Sequence, residues 1–222
     1  MERQMSFMDE MVRAILDGRK TQTRRLIKSK HLYEPLSTGY EWFFQPIKDG
    51  MWEVGARNPT TDEELFHSYL KPPCVAGDVL WVQEKIDNRP EHGNFYYRVD
   101  DQGVGESVFN ALIAKGWSNK KTINSIDMPR EAARLLLRVK RVSVERLQDI
   151  SQEDIEREGL WYYSQKYRDE ICIWRDCASA IQNTRIKYFK ILWDSIYVKR
   201  GYSFKSNPWV WVIEFERIQG VD

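Results

Sequence analysis

The sequence predicts an α+β fold built on a small twisted β-barrel. Segments with strand character and segments with helix character come in mixed order, without the regular βαβ alternation of a doubly wound sheet. Neither an internal repeat nor a low-complexity tract is visible in the sequence. A length of 222 residues is sufficient to bury a core without disulfides or structural metals.

The first predicted element is a short amphipathic helix. Ser6 and Asp9 resemble a capping box, and apolar residues recur at helical spacing up to Leu16. Gly18 is a typical C-terminal stop. We therefore expect this helix to deliver the chain directly to residues 18–25, which read G-R-K-T-Q-T-R-R.

The rest of the chain alternates between clear and weak patterns. Residues 28–74 mix Pro, Gly, aromatic and charged residues without sustained periodicity, which predicts a loop-rich insertion with one possible strand near Trp52. Apolar and β-branched runs predict strands, and capping and periodic patterns predict helices. The strands are expected at 79–84, 95–99, 135–144 and 209–215, and the helices from Ser151 to about Gly159 and from about Ala178 to Ile196.

Composition excludes several classes of protein. Lys and Arg total 34 and Asp and Glu total 33, so a site for a polyanion has to be a local patch. No apolar stretch is long enough to span a bilayer and the N-terminus has no charged-then-apolar signal pattern, so we expect a cytoplasmic protein without membrane contact. The three cysteines and three histidines have no metal-site spacing, and we expect reduced thiols, no metal and no cofactor.

The segment 18–25 has the highest density of positive charge. It carries four cations with two hydroxyls between them, namely Arg19, Lys20, Thr21, Thr23, Arg24 and Arg25. One interpretation is a solvated charge run at the negative end of the preceding helix. The other is a functional cleft in which cations bind phosphate or carbonyl oxygens, a threonine hydroxyl is the nucleophile, and a lysine with a lowered pKa is its base. Period-two alternation would put Lys20 and Arg24 on one face and Thr23 and Arg25 on the other.

A wider resemblance favours the second interpretation. The pattern G-x-K-x-x-T-x-R after a short helix, here Gly18, Lys20, Thr23 and Arg25, resembles the signature of ASCH domains. Four further blocks are similar to the phage and prophage branch of that family, at residues 71–84, 126–160, 189–197 and 207–218. The resemblance implies a single PUA-like domain over residues 1–222, a small β-barrel with helices at its rim and an insertion at 28–74.

The same resemblance implies a function. Small bacterial ASCH proteins act as N4-acetylcytidine amidohydrolases, with the signature lysine as base, the signature threonine as nucleophile and a later glutamate as acid. Transferred by motif, these roles fall on Lys20, Thr23 and Glu158. Alternatives for the same cleft are a non-catalytic RNA-binding module or a ribonuclease, so the expected partner is RNA or a modified nucleoside, bound by a monomer.

Further residues are candidates for substrate or nucleic-acid binding: Arg19, Arg24, Arg25, Glu84 and Arg130. Glu84, after the predicted strand at 79–84, is either a cleft carboxylate that faces Lys20 or Arg25, or a cap on the rim of the barrel. Glu158 is either the acid or a solvated helix end. Tryptophans in apolar runs are expected in the core, with base stacking as the alternative; they are Trp81, Trp193, Trp209 and Trp211.

Overall fold

The computed structural model describes residues 1–29, 32, 36–160 and 177–218, and it shows a mixed α/β protein with three β-sheets. The α-helices are α1 (Asp9–Leu16), α2 (Glu106–Ala114), α3 (Gln152–Arg157) and α4 (Cys177–Tyr197). The strands are β1 (Glu2–Ser6), β2 (Gln22–Leu26), β3 (Glu41–Pro46), β4 (Trp52–Arg57), β5 (Glu64–Leu70), β6 (Val79–Gln83), β7 (Ile86–Arg89), β8 (Asn94–Tyr97), β9 (Gln102–Gly103), β10 (Thr122–Ile123), β11 (Leu136–Arg146) and β12 (Trp209–Arg217).

The central sheet has five strands in the order β1-β6-β11-β12-β2. Only β1 and β6 pair in parallel, and the other neighbours are antiparallel. β12 is buried over Val210–Ile213, as its continuous apolar run predicts for a strand covered on both faces. The mixed α/β class is confirmed.

The predicted small barrel is not confirmed, because the described strands form no closed barrel. β1 and β2 are the two edges of the central sheet and no strand ladder joins them. Instead, a side chain crosses between these edges: Arg25 Nη2 donates a hydrogen bond to the Ser6 carbonyl oxygen over 2.8 Å. We call this junction between β1 and β2 the seam.

The first helix begins later than the sequence pattern predicts. Ser6 lies in β1, and its hydroxyl donates to Gln83 Oε1 over 2.7 Å rather than capping α1. The residue before the helix is Met8, which gives no side-chain cap. The predicted stop is confirmed, because Gly18 adopts φ +72°, a left-handed conformation in which a side chain would be strained.

The insertion is a sheet rather than a set of long loops. Strands β3, β4 and β5 form an antiparallel three-stranded sheet over most of residues 41–70. Its aromatic residues pack on those of β12: the ring centroids of Phe44 and Trp209 are 4.5 Å apart, and those of Trp52 and Trp211 are 5.5 Å apart. Residues 41–70 of this segment therefore add a second layer to the central sheet.

The remaining predicted elements are present. Helix α3 has the predicted cap, with Asp154 N–H donating to Ser151 Oγ over 3.1 Å, and the turn after it ends at Gly159 with φ +85°. Three of the four tryptophans, Trp81, Trp193 and Trp211, are buried as expected, and Trp209 is partly buried. No helix among the described residues is long and apolar enough to cross a membrane.

Candidate active site

Lys20 is a buried cation in the turn between α1 and β2. Its backbone N–H donates to the Ala14 carbonyl of α1, which fixes the start of the turn. Its side chain is 0% exposed and points towards the end of α3. The interpretation of residues 18–25 as a solvated charge run is therefore wrong for Lys20.

The Lys20 ammonium has three oxygen acceptors. Nζ lies 2.8 Å from Glu158 Oε2, 2.9 Å from the Glu158 carbonyl oxygen and 2.8 Å from the Gln22 carbonyl oxygen. Glu158 is 4% exposed at its side chain, so the ion pair is excluded from water. The structure therefore joins two of the three residues that the ASCH resemblance indicates.

Arg24 approaches the same carboxylate from β2. It donates from Nη1 to Glu158 Oε1 over 3.2 Å, from Nε to Glu145 over 2.6 Å and from Nη2 to Asp154 over 3.1 Å. Lys20 in the turn before β2 and Arg24 within β2 thus meet at Glu158. Because Arg24 is 1% exposed and bound to three carboxylates, it holds Glu158 in place.

The electrostatics of this cluster disfavour a charged lysine. Burial lowers the pKa of Lys20 below its usual range; Glu158 opposes the shift, and the nearby Arg25 and Arg24 add to it. Arg24 behaves in the opposite way, because burial lowers its pKa but the surrounding carboxylates Glu158, Glu145 and Asp154 outweigh that effect and raise it. Lys20 is consequently the group in this cluster that can most easily give up its proton.

A cavity of about 220 Å³ opens at the seam above this cluster. Thr23 and Glu158 both line it, and Arg25 lies at its edge. Its walls are largely aromatic and aliphatic and come from the turn after β1, from α1 and from α4; they include Phe7, Met8, Met11, Phe189, Leu192, Trp193, Ile196 and Tyr197. An apolar cavity with a hydroxyl, a carboxylate and a guanidinium is suited to a small planar polar ligand. We call it the seam cavity.

Backbone donors also face the seam. β2 pairs with β12, so the backbone groups of Thr23 and Arg25 point to β12. The Thr21 carbonyl also faces β12 and accepts from the Phe215 N–H, whereas the Thr21 N–H donates to the Arg157 carbonyl. The alternate residues direct theirs away, as the contact of the Gln22 carbonyl with Lys20 illustrates. The Arg24 N–H therefore points towards the seam, next to the Thr23 side chain.

The third member of the predicted triad is near but not joined to the other two. Thr23 is 4% exposed and shares the seam cavity with Glu158. Among the described residues, no hydrogen bond joins its hydroxyl to Lys20. Lys20 nevertheless lies close to the cavity wall, because Nζ is 5.8 Å from the centroid of the Phe7 ring that lines it.

Glu84 lies outside the seam cavity, so it does not face Lys20 or Arg25 as one of its two interpretations required. It is 0% exposed, and Arg134 binds both its carboxylate oxygens over 2.9 and 2.8 Å. Arg134 also contacts Asp100 and covers the Tyr97 ring at 3.9 Å. Glu84 thus stabilises the junction of β6 with its neighbours.

Two of the arginines expected in the cleft are also elsewhere. Arg130 is bound by Glu2 at the surface over 2.8 and 3.0 Å. Arg19 is bound by Asp17 over 2.7 Å and by the Gly159 carbonyl over 3.2 Å, and it does not line the seam cavity. Of the expected binding cations, Arg24 and Arg25 line the seam cavity, and three carboxylates hold the guanidinium of Arg24.

Sequence reasoning missed two contributors. Phe7, whose ring lies 5.1 Å from the Arg25 guanidinium carbon, was included in the expected helix start. Glu145 lies near the end of β11, 121 residues from its partner Arg24, and no sequence pattern links the two. Within the described residues, no three His, Cys, Asp or Glu side chains converge as a metal site.

Comparisons with known proteins identify no related site. No family model, curated protein or solved structure matches the chain.

Proposed function

We propose that this protein is an ASCH-like amidohydrolase that removes an acyl group from the exocyclic amine of a cytidine-type base. The observation that carries the proposal is the buried Lys20–Glu158 pair beside the Thr23 hydroxyl at the seam cavity. Amide hydrolysis with a hydroxyl nucleophile needs a base, an acid and a site for an oxyanion, and this cluster offers a candidate for each.

The Lys20–Glu158 pair can supply base and acid together. Transfer of one proton along the 2.8 Å hydrogen bond turns the ion pair into a neutral amine and a carboxylic acid, and the pKa of Lys20, which burial lowers, favours loss of that proton from the amine. The amine then accepts the Thr23 proton as Thr23 Oγ attacks the acyl carbonyl carbon. Glu158 donates its proton to the exocyclic nitrogen as the C–N bond breaks, which leaves an acyl ester on Thr23.

Water completes the cycle. Glu158, now a carboxylate, takes a proton from water as the water oxygen attacks the ester carbonyl. Thr23 leaves with the proton held by Lys20, so the carboxylic acid product is released and the neutral pair is restored. The proposal requires the Thr23 hydroxyl to reach Lys20 directly or through one water when substrate is bound.

Arg25 and the backbone stabilise the developing charge in this scheme. The Arg24 N–H points to the seam beside Thr23, which is the position of an oxyanion donor. The Arg25 guanidinium, tethered by the Ser6 carbonyl, positions the acyl oxygen or the base. The apolar walls exclude water and stack on the pyrimidine ring.

Acetate release from N4-acetylcytidine tests the proposal. Wild type is compared with Lys20→Met, Thr23→Val and Thr23→Ser, because valine matches the shape of threonine and serine keeps the hydroxyl. We expect hydrolysis by wild type and Thr23→Ser, and a loss of at least about 100-fold in Thr23→Val and Lys20→Met. No hydrolysis by folded wild type, together with RNA binding that survives Thr23→Val, would instead favour an RNA-binding module; RNA shortening that Lys20→Met abolishes would favour a ribonuclease.

A further inference from the structure

A second cleft, of about 470 Å³, lies next to the seam cavity. Arg25 lines both, so the two cavities are adjacent at this residue. Three elements form the second cleft: β2 and the residues after it, the end of β5 in the inserted sheet, and the end of α4. We call it the cationic cleft, and its charged lining residues are Arg25, Lys28, Lys71 and Arg200.

The charge of this cleft is not neutralised locally. No Asp or Glu is among its described lining residues. In the described part of the chain, no ion pair holds Lys28, Lys71 or Arg200, and all three are exposed. Most arginines elsewhere in the described residues form ion pairs with carboxylates; for example, Arg24 binds three carboxylates and Arg134 binds Glu84. Four unmatched cations are a local excess in a chain whose net charge is only +1.

Arg25 has unused hydrogen-bonding capacity in this setting. Its Nη2 donates to the Ser6 carbonyl, but its Nε is buried without a partner. A buried donor without an acceptor is costly, and a ligand oxygen at the junction of the two clefts would satisfy it. Arg25 is therefore placed to contact one ligand that enters both clefts.

Aromatic groups accompany the cations. Tyr69 of β5 is 57% exposed at the cleft, and Tyr197 at the end of α4 lines both clefts. Lys71 follows Tyr69 closely in sequence, so the inserted sheet provides both a cation and a ring to this wall. Cations interleaved with aromatic side chains are typical of surfaces that bind nucleotides or single strands.

We propose that the cationic cleft binds a phosphate group of the substrate whose base enters the seam cavity. The substrate is then a phosphorylated cytidine, as a nucleotide or within an RNA strand, rather than a free nucleoside. The identity of the base rests on the proposed function, but the phosphate site rests on the cationic cleft alone.

Binding measurements by calorimetry test this proposal. The probes are cytidine, cytidine 5′-monophosphate, inorganic phosphate and a single-stranded RNA of about eight nucleotides. The test variant is Lys71→Gln with Arg200→Gln, both at exposed positions, and the matched control is Lys120→Gln with Lys121→Gln, which removes the same charge far from the cleft. Equal midpoints of thermal unfolding establish that the variants are folded.

The expected results are quantitative. Wild type and control bind the monophosphate at least about tenfold more tightly than cytidine, and the test variant reduces this preference to less than about twofold. With RNA, the slope of log affinity against log salt falls by about 1.4 in the test variant, since each contact to a single strand contributes about 0.7. Tight binding of the monophosphate identifies a nucleotide as the source of the phosphate, and a preference for RNA alone identifies a strand.

Other outcomes overturn the proposal. Equal affinity of wild type for cytidine, its monophosphate and the RNA, or an unchanged preference in the test variant, would exclude a phosphate site in the cationic cleft. Acetate release without any phosphate preference would refute the cationic cleft but leave the amidohydrolase. If wild type prefers the phosphorylated probe through Lys71 and Arg200 but releases no acetate, the amidohydrolase proposal is refuted and the phosphate site in the cationic cleft is supported.

Discussion

Replacing Glu158 by glutamine tests the buried cluster most sharply, because it removes one charge and almost no volume. The carboxylate of Glu158 accepts from Lys20 over 2.8 Å and from Arg24 over 3.2 Å. Arg24 keeps Glu145 and Asp154 as partners after the change. Lys20 keeps only neutral oxygen acceptors, so the loss falls mainly on a cation that is 0% exposed.

The expected loss follows from that geometry. Breaking a buried ion pair by removing one partner typically costs about 3 to 5 kcal/mol. The two carbonyl acceptors of Lys20 remain, so we expect the lower end, about 3 kcal/mol. For a chain of this size, that corresponds to a fall of roughly 6 to 12 °C in the midpoint of thermal unfolding.

The assay is thermal and denaturant unfolding of Glu158→Gln beside a matched control on the same helix. Glu153→Gln makes the same chemical change at an exposed position of α3 and should lie within about 0.5 kcal/mol of wild type. The double variant Lys20→Met with Glu158→Gln removes the unpaired cation and should recover part of the loss. A midpoint for Glu158→Gln equal to that of Glu153→Gln would refute the reasoning.

Three further predictions concern the same region and the core. Burial lowers the pKa of Lys20 in the folded protein below its unfolded value of 10.5, so at a pH between these two pKa values unfolding takes up a proton. In that window the free energy of unfolding of wild type should therefore rise with pH relative to that of Lys20→Met, and a difference that does not change with pH would contradict the prediction. Gly159→Ala should lower the free energy of unfolding by about 1 to 3 kcal/mol more than Gly201→Ala, although both glycines have φ +85°. A Cβ at Gly159 would lie 2.6 Å from the Ala14 Cβ, whereas one at Gly201 has no atom within 4 Å, so equal losses in urea unfolding would exclude the clash. In a variant whose other two cysteines are serine, Cys74 should react with Ellman's reagent only when the protein unfolds, because Cys74 is 0% exposed and burial raises the pKa of its thiol to about 12. Rapid labelling of the folded protein would contradict this prediction.

The sequence correctly predicts the structural features that depend on neighbouring residues. The cap at Ser151, the stop at Gly18 and the apolar run of β12 each depend on residues close in sequence, and each is present. Lys20 and Arg24, which were expected on one face, meet at Glu158.

Long-range pairing explains the parts that sequence reasoning missed. Ser6 was interpreted as a helix cap, but β1 gains a full ladder with β6 nearly 80 residues away, and tertiary pairing outweighs a local cap. Strands β3 and β5 have no fully buried residue, and β4, whose centre is buried, contains Gly55, so no apolar strand pattern stands out in this segment. Glu84 was ambiguous because its partner Arg134 is 50 residues away.

The central claim is that Thr23 carries the acyl group between the two halves of the reaction. The most direct measurement quenches wild type and Thr23→Val during incubation with N4-acetylcytidine and follows both cytidine release and acetylation of the peptide that contains residue 23. The account predicts cytidine release with acetylation of that peptide in wild type, and neither in Thr23→Val. Cytidine release by Thr23→Val at the wild-type rate would contradict it.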